Sequence, residues 1–118
     1  MNANETENAI LGVSAVRLIV YTDGAGAITR TTSPQSPPEA ALVERLDLVS
    51  AAAAELGQSQ GLGDLRIGLL VFRNAMVLAG ALPGGAVYIL CDAELAPLGL
   101  LLSHLRTLVA QNPEGVNR

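Results

Sequence analysis

The residues of this chain whose types could do chemistry are few, and they form no catalytic pattern. Cys91, the single cysteine, ends an apolar run, and no basic residue beside it in the sequence could lower the pKa of its thiol. His104, the single histidine, follows Ser103 in a helical pattern, where adjacent side chains point about 100° apart and do not face each other. We therefore expect a buried structural thiol at Cys91 and a surface position for His104.

Glycines at Gly24 and Gly26 follow an apolar run and superficially match a phosphate-binding loop. Such a loop must open a helix, because the helical N–H groups and dipole contact the phosphate. Here a second strand pattern follows, so a hairpin turn is predicted instead. A Walker loop is excluded because the seven basic residues are all arginines.

Metal-binding patterns are equally weak. A lone cysteine excludes a cysteine-rich metal site and an intrachain disulfide. Asp92 and Glu94 could offer two carboxylates to a hard metal ion, but both fit the start of the last predicted helix. The sequence therefore predicts no catalytic residue, no metal and no cofactor, and we expect a protein that is not an enzyme.

Composition excludes further classes of function. Half of the residues are apolar, 15% are charged, and the net charge is −4. The arginines are scattered singly, whereas a nucleic-acid surface needs clustered positive charge, so no nucleic-acid partner is expected. Residues 1–10 lack the pattern of a secretory signal, and the lone cysteine fits a reducing compartment, so a cytoplasmic protein is expected. Residues 74–91 carry no charge, but Pro83 and two glycines interrupt them, which predicts two strands and no membrane span.

The element that organises the chain is a helix predicted over residues 36–57. Ser36 and Glu39 have the spacing of a capping box, and Pro37 suits the first helical position. Gly57 suits the C′ position that ends a helix. A stripe at helical spacing is predicted to face a sheet and consists of Leu42, Leu46, Val49, Ala53 and Leu56.

This helix has more apolar surface than one sheet can cover. Other apolar residues lie beside the stripe or near its back, so a second contact, with another chain, is predicted. The charged residues of the helix are predicted to form its solvated edge, with recognition of a partner as the alternative; they are Glu44, Arg45, Asp47 and Glu55.

Strand patterns occupy most of the remaining chain, at residues 13–21, 26–32, 64–72, 75–82 and 86–91. Short turns join the neighbours, which predicts antiparallel pairing, and a closing helix is predicted over residues 95–110. The order is β-β-α-β-β-β-α. We expect one α/β (α+β) domain over residues 1–118, a profilin-like or longin-like five-stranded antiparallel sheet with two helices, and flexible ends at residues 1–10 and 111–118.

The same elements resemble the Roadblock/dynein light chain family. A strand runs into Asp23-Gly24 and returns through AITRTTS, the helix ERLDLVSAAAAELG follows, and LRIGLLVFRNAMVLAGALPGGAVYILCD is similar to the three-strand meander of that family. LAPLGLLLSHLRTL is similar to its closing helix. Family members usually begin with a helix of several turns, but only twelve residues precede Val13 here, so the first helix is expected to be missing or short.

The resemblance implies a homodimer in which the main helices and central strands of two copies adjoin. Such dimers are platforms for small Ras-like GTPases, in bacteria often as regulators or as polarity and motility factors. We expect a non-enzymatic regulatory or scaffold subunit of such a GTPase system. The expected dimer or partner interface lies on the main helix and comprises Ala41, Val43, Arg45, Leu48, Ala52 and Glu55.

Two alternatives are open at this stage. One is a structural dimerisation adaptor in a larger assembly without a GTPase partner, which an uncovered sheet face would favour. The other is a small-molecule sensor with a profilin-like pocket, for which the sequence supplies few convergent polar groups.

Overall fold

The structure, a computed structural model, describes residues 2–32, 39–93 and 96–111. In these ranges the chain forms three helices and five strands, which are α1 (Ala3–Leu11), β1 (Val16–Thr22), β2 (Ile28–Thr31), α2 (Ala40–Ser59), β3 (Ile67–Val71), β4 (Ala75–Leu82), β5 (Gly85–Asp92) and α3 (Leu98–Ala110). The predicted α+β class and the five strands are confirmed. The predicted number of helices is wrong, because α1 precedes the first strand.

Helix α1 forms where a flexible start was predicted. The side chain of Asn2 accepts a hydrogen bond from the Glu5 N–H at 2.9 Å, which caps the helix, and Glu5 places negative charge in its first turn. Ile10 is fully buried beneath the helix. The first helix is therefore present with nine residues; of the two expectations, a missing or a short helix, the second is confirmed. The flexible tail predicted for residues 111–118 falls outside the described residues from 112 onward.

Charged contacts hold α1 against the β1–β2 hairpin. Glu7 is buried, and its two carboxylate oxygens each accept a hydrogen bond from Arg30 at 2.7 Å. The Tyr21 hydroxyl also donates to Glu7, and the Arg30 guanidinium carbon lies 5.1 Å from the centre of the Tyr21 ring. Because Glu7 is paired with both groups, its burial is tolerated.

The five strands form one antiparallel sheet in the order β2-β1-β5-β4-β3. Side chains alternate between its two faces, and each face has its own core. Helices α1 and α3 cover one face, where Ile19, Leu78 and Ile89 are fully buried. Helix α2 covers the other face, where Val20 and Tyr88 are fully buried. The uncharged residues 74–91 form strands β4 and β5, as predicted.

No helix among the described residues is both long enough and apolar enough to traverse a lipid bilayer.

The ends of α2 differ from the prediction. The helix begins at Ala40, and Glu39 is its N-cap, with an extended backbone (φ −69°, ψ 133°) and no side-chain capping bond. Glu39 is therefore not the third residue of a capping box, and Ser36 and Pro37 lie outside the described residues. The predicted helix start is wrong by about one turn.

The C-terminus of α2 lies beyond Gly57. Gly61 takes a left-handed backbone (φ 69°), and the Leu62 N–H donates to the Gly57 carbonyl at 2.8 Å, as in a Schellman motif. Gly61 is thus the residue that ends the helix. Gly57 lies within it, and a Cβ there would meet the Gly63 carbonyl oxygen at 2.5 Å, so close packing explains this glycine.

Candidate interaction surface

A buried carboxylate determines how α2 sits on the sheet. Asp47 accepts hydrogen bonds from the Thr22 hydroxyl at 2.8 Å, the Tyr88 hydroxyl at 2.7 Å and the Gly26 N–H at 2.7 Å. The Ser50 and Tyr88 hydroxyls lie 2.9 Å apart. Asp47 therefore ties α2 to β1, to β5 and to the β1–β2 turn. Its predicted place on a solvated edge is wrong, because the side chain is buried.

The tyrosine in this cluster stays neutral. Burial raises the pKa of Tyr88 well above its ordinary value, and the hydrogen bond to Asp47 raises it further. A neutral phenol can donate a hydrogen bond to the carboxylate, which an ionised phenolate cannot. The cluster therefore keeps one hydrogen-bonding pattern near neutral pH.

The Asp47 contacts rotate α2 away from the predicted orientation. The buried residues of the helix are Val43, Leu46, Asp47 and Gly57. Leu42, Val49 and Leu56, predicted to face the sheet, are 38%, 49% and 56% exposed. That part of the predicted stripe is wrong, because hydrogen bonding by Asp47, and not the number of leucines, selects the buried face.

Leu42, Val49 and Leu56, here called the lateral stripe, recur every seven residues on the flank of α2 that faces β3. Val49 lines a cavity of about 190 Å³ together with Leu69 and Leu70 of β3. Leu56 lines a cleft of about 720 Å³ that continues to the start of β3. Through Val49 and Leu56, the lateral stripe therefore adjoins β3.

Strand β3 is an edge of the sheet, and alternate residues direct their backbone groups outward. The Phe72 N–H donates to the Ala75 carbonyl and the Ala81 N–H donates to the Arg66 carbonyl, each at 2.8 Å. Antiparallel hydrogen bonds alternate along a strand, so even-numbered residues from 66 to 72 bond to β4. The N–H and C=O groups of Ile67, Leu69 and Val71 therefore point away from the sheet.

This edge lacks the features that usually prevent pairing with another strand. Within β3 there is no charged residue and no proline, and the side chains of Leu69 and Val71, with Phe72 just beyond them, are exposed. An exposed apolar edge strand beside an exposed apolar helix stripe is typical of a surface that another chain covers.

The interface residues predicted from the sequence divide into two groups. Val43 is a correction, because it is 0% exposed and packs in the core with Leu18, Val20 and Tyr88. The other five are exposed on the outward side of α2, here called the outer stripe: Ala41, Arg45, Leu48, Ala52 and Glu55. Leu48 lies on the hairpin flank of α2, where it lines a cavity with Gly24 and Ala25. The outer stripe stays a candidate for contact with another chain.

The residues whose types could do chemistry have structural roles instead. Cys91 is buried, and burial raises the pKa of its thiol to about 11, so little reactive thiolate exists near neutral pH. Gly24 and Gly26 have positive φ angles in the β1–β2 turn, as the hairpin prediction requires.

Asp92 is paired with Arg17, whose Nε lies 2.6 Å from a carboxylate oxygen, and Glu94 lies outside the described residues. No group of three metal-binding side chains occurs in the described ranges.

The lateral stripe and the β3 edge are not identified as interaction surfaces by the sequence alone. The seven-residue spacing of Leu42, Val49 and Leu56 is visible in the sequence. Its position on the flank beside the buried face follows only once Asp47 and Ser50 are recognised as partners of Tyr88.

The sequence matches no family model and no curated protein. Solved structures do resemble the fold. Myxococcus xanthus MglB is 11% identical with a TM-score of 0.77, over 95% of this chain and 92% of that one. A structure described as MglB with tetrameric arrangement is 20% identical with a TM-score of 0.73, over 97% and 90%. A Roadblock/LC7 domain from Streptomyces avermitilis is 14% identical with a TM-score of 0.66, over 93% of each chain. The chain therefore has the Roadblock/LC7 fold.

Replacing Asp47 tests its role in holding α2. Asp47→Ala leaves Thr22, Tyr88 and the Gly26 N–H without their acceptor, so we expect the free energy of unfolding to fall by about 2–4 kcal/mol. Chemical denaturation at one protein concentration measures this. Glu44→Gln, an exposed position on the same helix, is the control and should change it by less than about 0.5 kcal/mol. Equal effects of the two substitutions would contradict the assigned role.

Proposed function

We propose that this chain is a non-enzymatic, homodimeric regulatory or scaffold subunit of a small Ras-like GTPase system. The support comes from the Roadblock/LC7 fold, from the sequence resemblance to a family of GTPase-binding dimers, and from the apolar surface formed by the lateral stripe and β3. The apolar surface carries the proposal, because burial of that surface gives a physical reason for a second copy to bind.

The lateral stripe suits a two-fold symmetric contact. Its residues are spaced evenly on both sides of Val49. Two antiparallel copies of α2 would therefore place Val49 beside its own counterpart, and Leu42 of one copy beside Leu56 of the other. Such an isologous contact closes on itself and stops at a dimer. A specific interface of ordinary size buries roughly 800 Å² on each subunit, which helix and strand together can supply.

The outer stripe supports a different contact. It combines the exposed Leu48 and two alanines with the charges of Arg45 and Glu55, a mixture that suits a partner that binds and dissociates. Because a two-fold axis perpendicular to the sheet keeps both α2 helices on the same face, the two outer stripes would form one platform. We assign the dimer contact to the lateral stripe and the GTPase contact to the outer stripe.

The adaptor alternative has lost its main support. It relied on a sheet face left bare by a missing first helix, and α1 together with α3 packs on that face. An adaptor without a GTPase partner is therefore expected only if the chain fails to bind a GTPase.

Adjacent substitutions separate the two contacts. Val49→Asp places two charges near the symmetry axis, so we expect a monomer by sedimentation equilibrium, with unchanged helical content by circular dichroism. Leu48→Asp, the same change one residue away on the hairpin flank, is the matched control and should remain a dimer. A dimer in both variants would contradict the lateral-stripe contact, and a monomer only with Leu48→Asp would instead place the dimer contact on the outer stripe.

Titration with a small Ras-like GTPase from the source cell tests the GTPase contact. We expect binding that differs between the GDP form and a form carrying a non-hydrolysable GTP analogue, because the switch segments of such GTPases change with the nucleotide. The Leu48→Asp dimer should bind at least about tenfold more weakly, by the loss of one well-packed apolar anchor. Absence of binding in both nucleotide states would leave a dimerisation adaptor without a GTPase.

A further inference from the structure

The cleft of about 720 Å³ at the C-terminal end of α2, here called the distal cleft, has the volume of a small-molecule site. Its walls come from α2, from the segment that leads into β3, and from the end of α3. Much of the lining is apolar and includes Ala53, Leu56, Leu62, Leu65 and Val109. A hydrocarbon group that entered the distal cleft would leave water and bury this apolar surface.

Hydrogen bonds hold the wall that follows α2 in the chain. The Gln58 side-chain N–H donates to the Asp64 carboxylate at 2.6 Å, and the Leu62 N–H donates to the Gly57 carbonyl at 2.8 Å. Because Gly57 has no side chain, the Gly63 carbonyl can lie against the helix. The distal cleft is therefore formed by the fold itself, and a ligand does not have to order the wall in order to bind.

The apolar space continues beneath α2. A second cavity, of about 190 Å³, shares Ala53 and Leu65 with the distal cleft. The space beside Gly68 in this second cavity is open, because a Cβ built there meets only the Ala79 Cβ within 4 Å, at 3.9 Å. Tyr88 also lines it, but its hydroxyl is already hydrogen-bonded, and no buried side-chain polar atom in the described ranges lacks a partner. The interior therefore suits a hydrocarbon chain and not a second polar group.

Two arginines bring positive charge to the distal cleft. Arg66 lines it just before β3 and Arg106 lines it from α3, and both are exposed, so they lie at its opening. Arg17 and Arg30 are in ion pairs, whereas Arg66 and Arg106 make none with the described residues. Asp64 is the carboxylate among the described lining residues, so two guanidiniums and one carboxylate leave one net positive charge. On a chain of net charge −4, this opening is complementary to an anion.

The chemistry of the ligand follows from the two parts of the site. A guanidinium binds a carboxylate through charge-assisted hydrogen bonds, and the interior accepts a hydrocarbon chain. A molecule with one anionic head and one long apolar chain satisfies both parts. The net charge of −4 opposes adsorption of the protein to an anionic membrane, which favours a free molecule over a lipid bilayer as the ligand.

We propose that the distal cleft binds a single-chain anionic amphiphile, a long-chain carboxylate. The hydrocarbon chain lies against Ala53, Leu56 and Val109, and the carboxylate lies between Arg66 and Arg106. One chain supplies every residue of this site, so the inference goes beyond the proposed function and does not depend on the homodimer.

Isothermal titration calorimetry with dodecanoate tests the site. We expect one molecule to bind per chain, with a Kd on the order of 10–100 μM for a ligand of this size. Dodecyltrimethylammonium has the same chain and a cationic head, so it should bind at least about tenfold more weakly. Equal affinity for the two probes would overturn the charge assignment, and absence of dodecanoate binding would overturn the site.

Substitutions locate the head and the chain of the ligand. Arg106→Gln lies on α3, away from the lateral stripe and β3, and should weaken dodecanoate binding about tenfold by loss of a charge-assisted pair. Arg17→Gln, the same change at an exposed position outside the cleft, is the matched control and should weaken it less than about twofold, because salt screens distant charges. Equal weakening by the two substitutions would overturn the head-group position.

Ala53→Leu tests the chain position, because it fills the junction of the two cavities. We expect dodecanoate binding at least about fivefold weaker, with unchanged helical content by circular dichroism. Unchanged binding to a folded Ala53→Leu protein would overturn the position of the hydrocarbon chain.

Sedimentation with vesicles distinguishes a free ligand from a membrane surface. We expect vesicles of phosphatidylglycerol and phosphatidylcholine to leave the protein in the supernatant. Co-sedimentation that Arg106→Gln abolishes, without dodecanoate binding in solution, would overturn the proposal in favour of a membrane contact. A wild-type protein that is monomeric and binds dodecanoate would overturn the homodimer and support the site in the distal cleft.

Discussion

The hydrogen bonds that Asp47 accepts set the orientation of α2, and the rest of the surface depends on that orientation. A carboxylate can be buried at acceptable cost only when its oxygens are paired, and Thr22, Tyr88 and Gly26 pair them here. These partners come from two strands and a turn, so the helix can rotate only by breaking several bonds together. The apolar residues of α2 that do not share the face of Asp47 are consequently exposed.

The two ends of the sheet have opposite character as a result. At the β1–β2 end, Asp47 of α2 and Glu7 of α1 each bring a buried carboxylate to the hairpin from opposite faces. At the β3 end, the described residues include no comparable polar cluster, and the surface is an apolar strand edge beside an apolar helix flank. Polar contacts within the chain thus stabilise the β1–β2 end of the sheet. At the β3 end, backbone N–H and C=O groups point outward, where another chain could pair with them.

Much of the fold could be predicted from the sequence, because strand periodicity, turn glycines and leucine spacing are local signals. Strand β4 was predicted to the residue, and the hairpin at Gly24 and Gly26 was predicted from its neighbours. Helix α1 was missed because its stability depends on the Asn2 cap and on the long-range pairing of Glu7 with Arg30. No local sequence pattern predicts the pairing of Glu7 with Arg30.

The candidate surface was harder to predict for a physical reason. Counting apolar residues assigns the buried face of α2 to Leu42, Val49 and Leu56, whereas the structure buries Asp47 and Val43 instead. Three distant partners decide which face is buried, and all three are hydroxyl or backbone N–H groups, which are common on any surface. The apolar surplus on α2 was correctly predicted, but which side of the helix carries it depends on the tertiary hydrogen bonds.

Native-state hydrogen exchange of the β3 amides tests the central claim most directly, because it reads out the outward N–H groups one by one. In a dimer paired through β3, the amides of Ile67, Leu69 and Val71 are hydrogen-bonded, so we predict slow exchange at high protein concentration and faster exchange on dilution. The amides of Leu70 and Phe72, which bond to β4, should be protected at both concentrations. Rapid exchange at Leu69 in concentrated protein, with Leu70 protected, would show that the edge of β3 stays unpaired and would contradict the account.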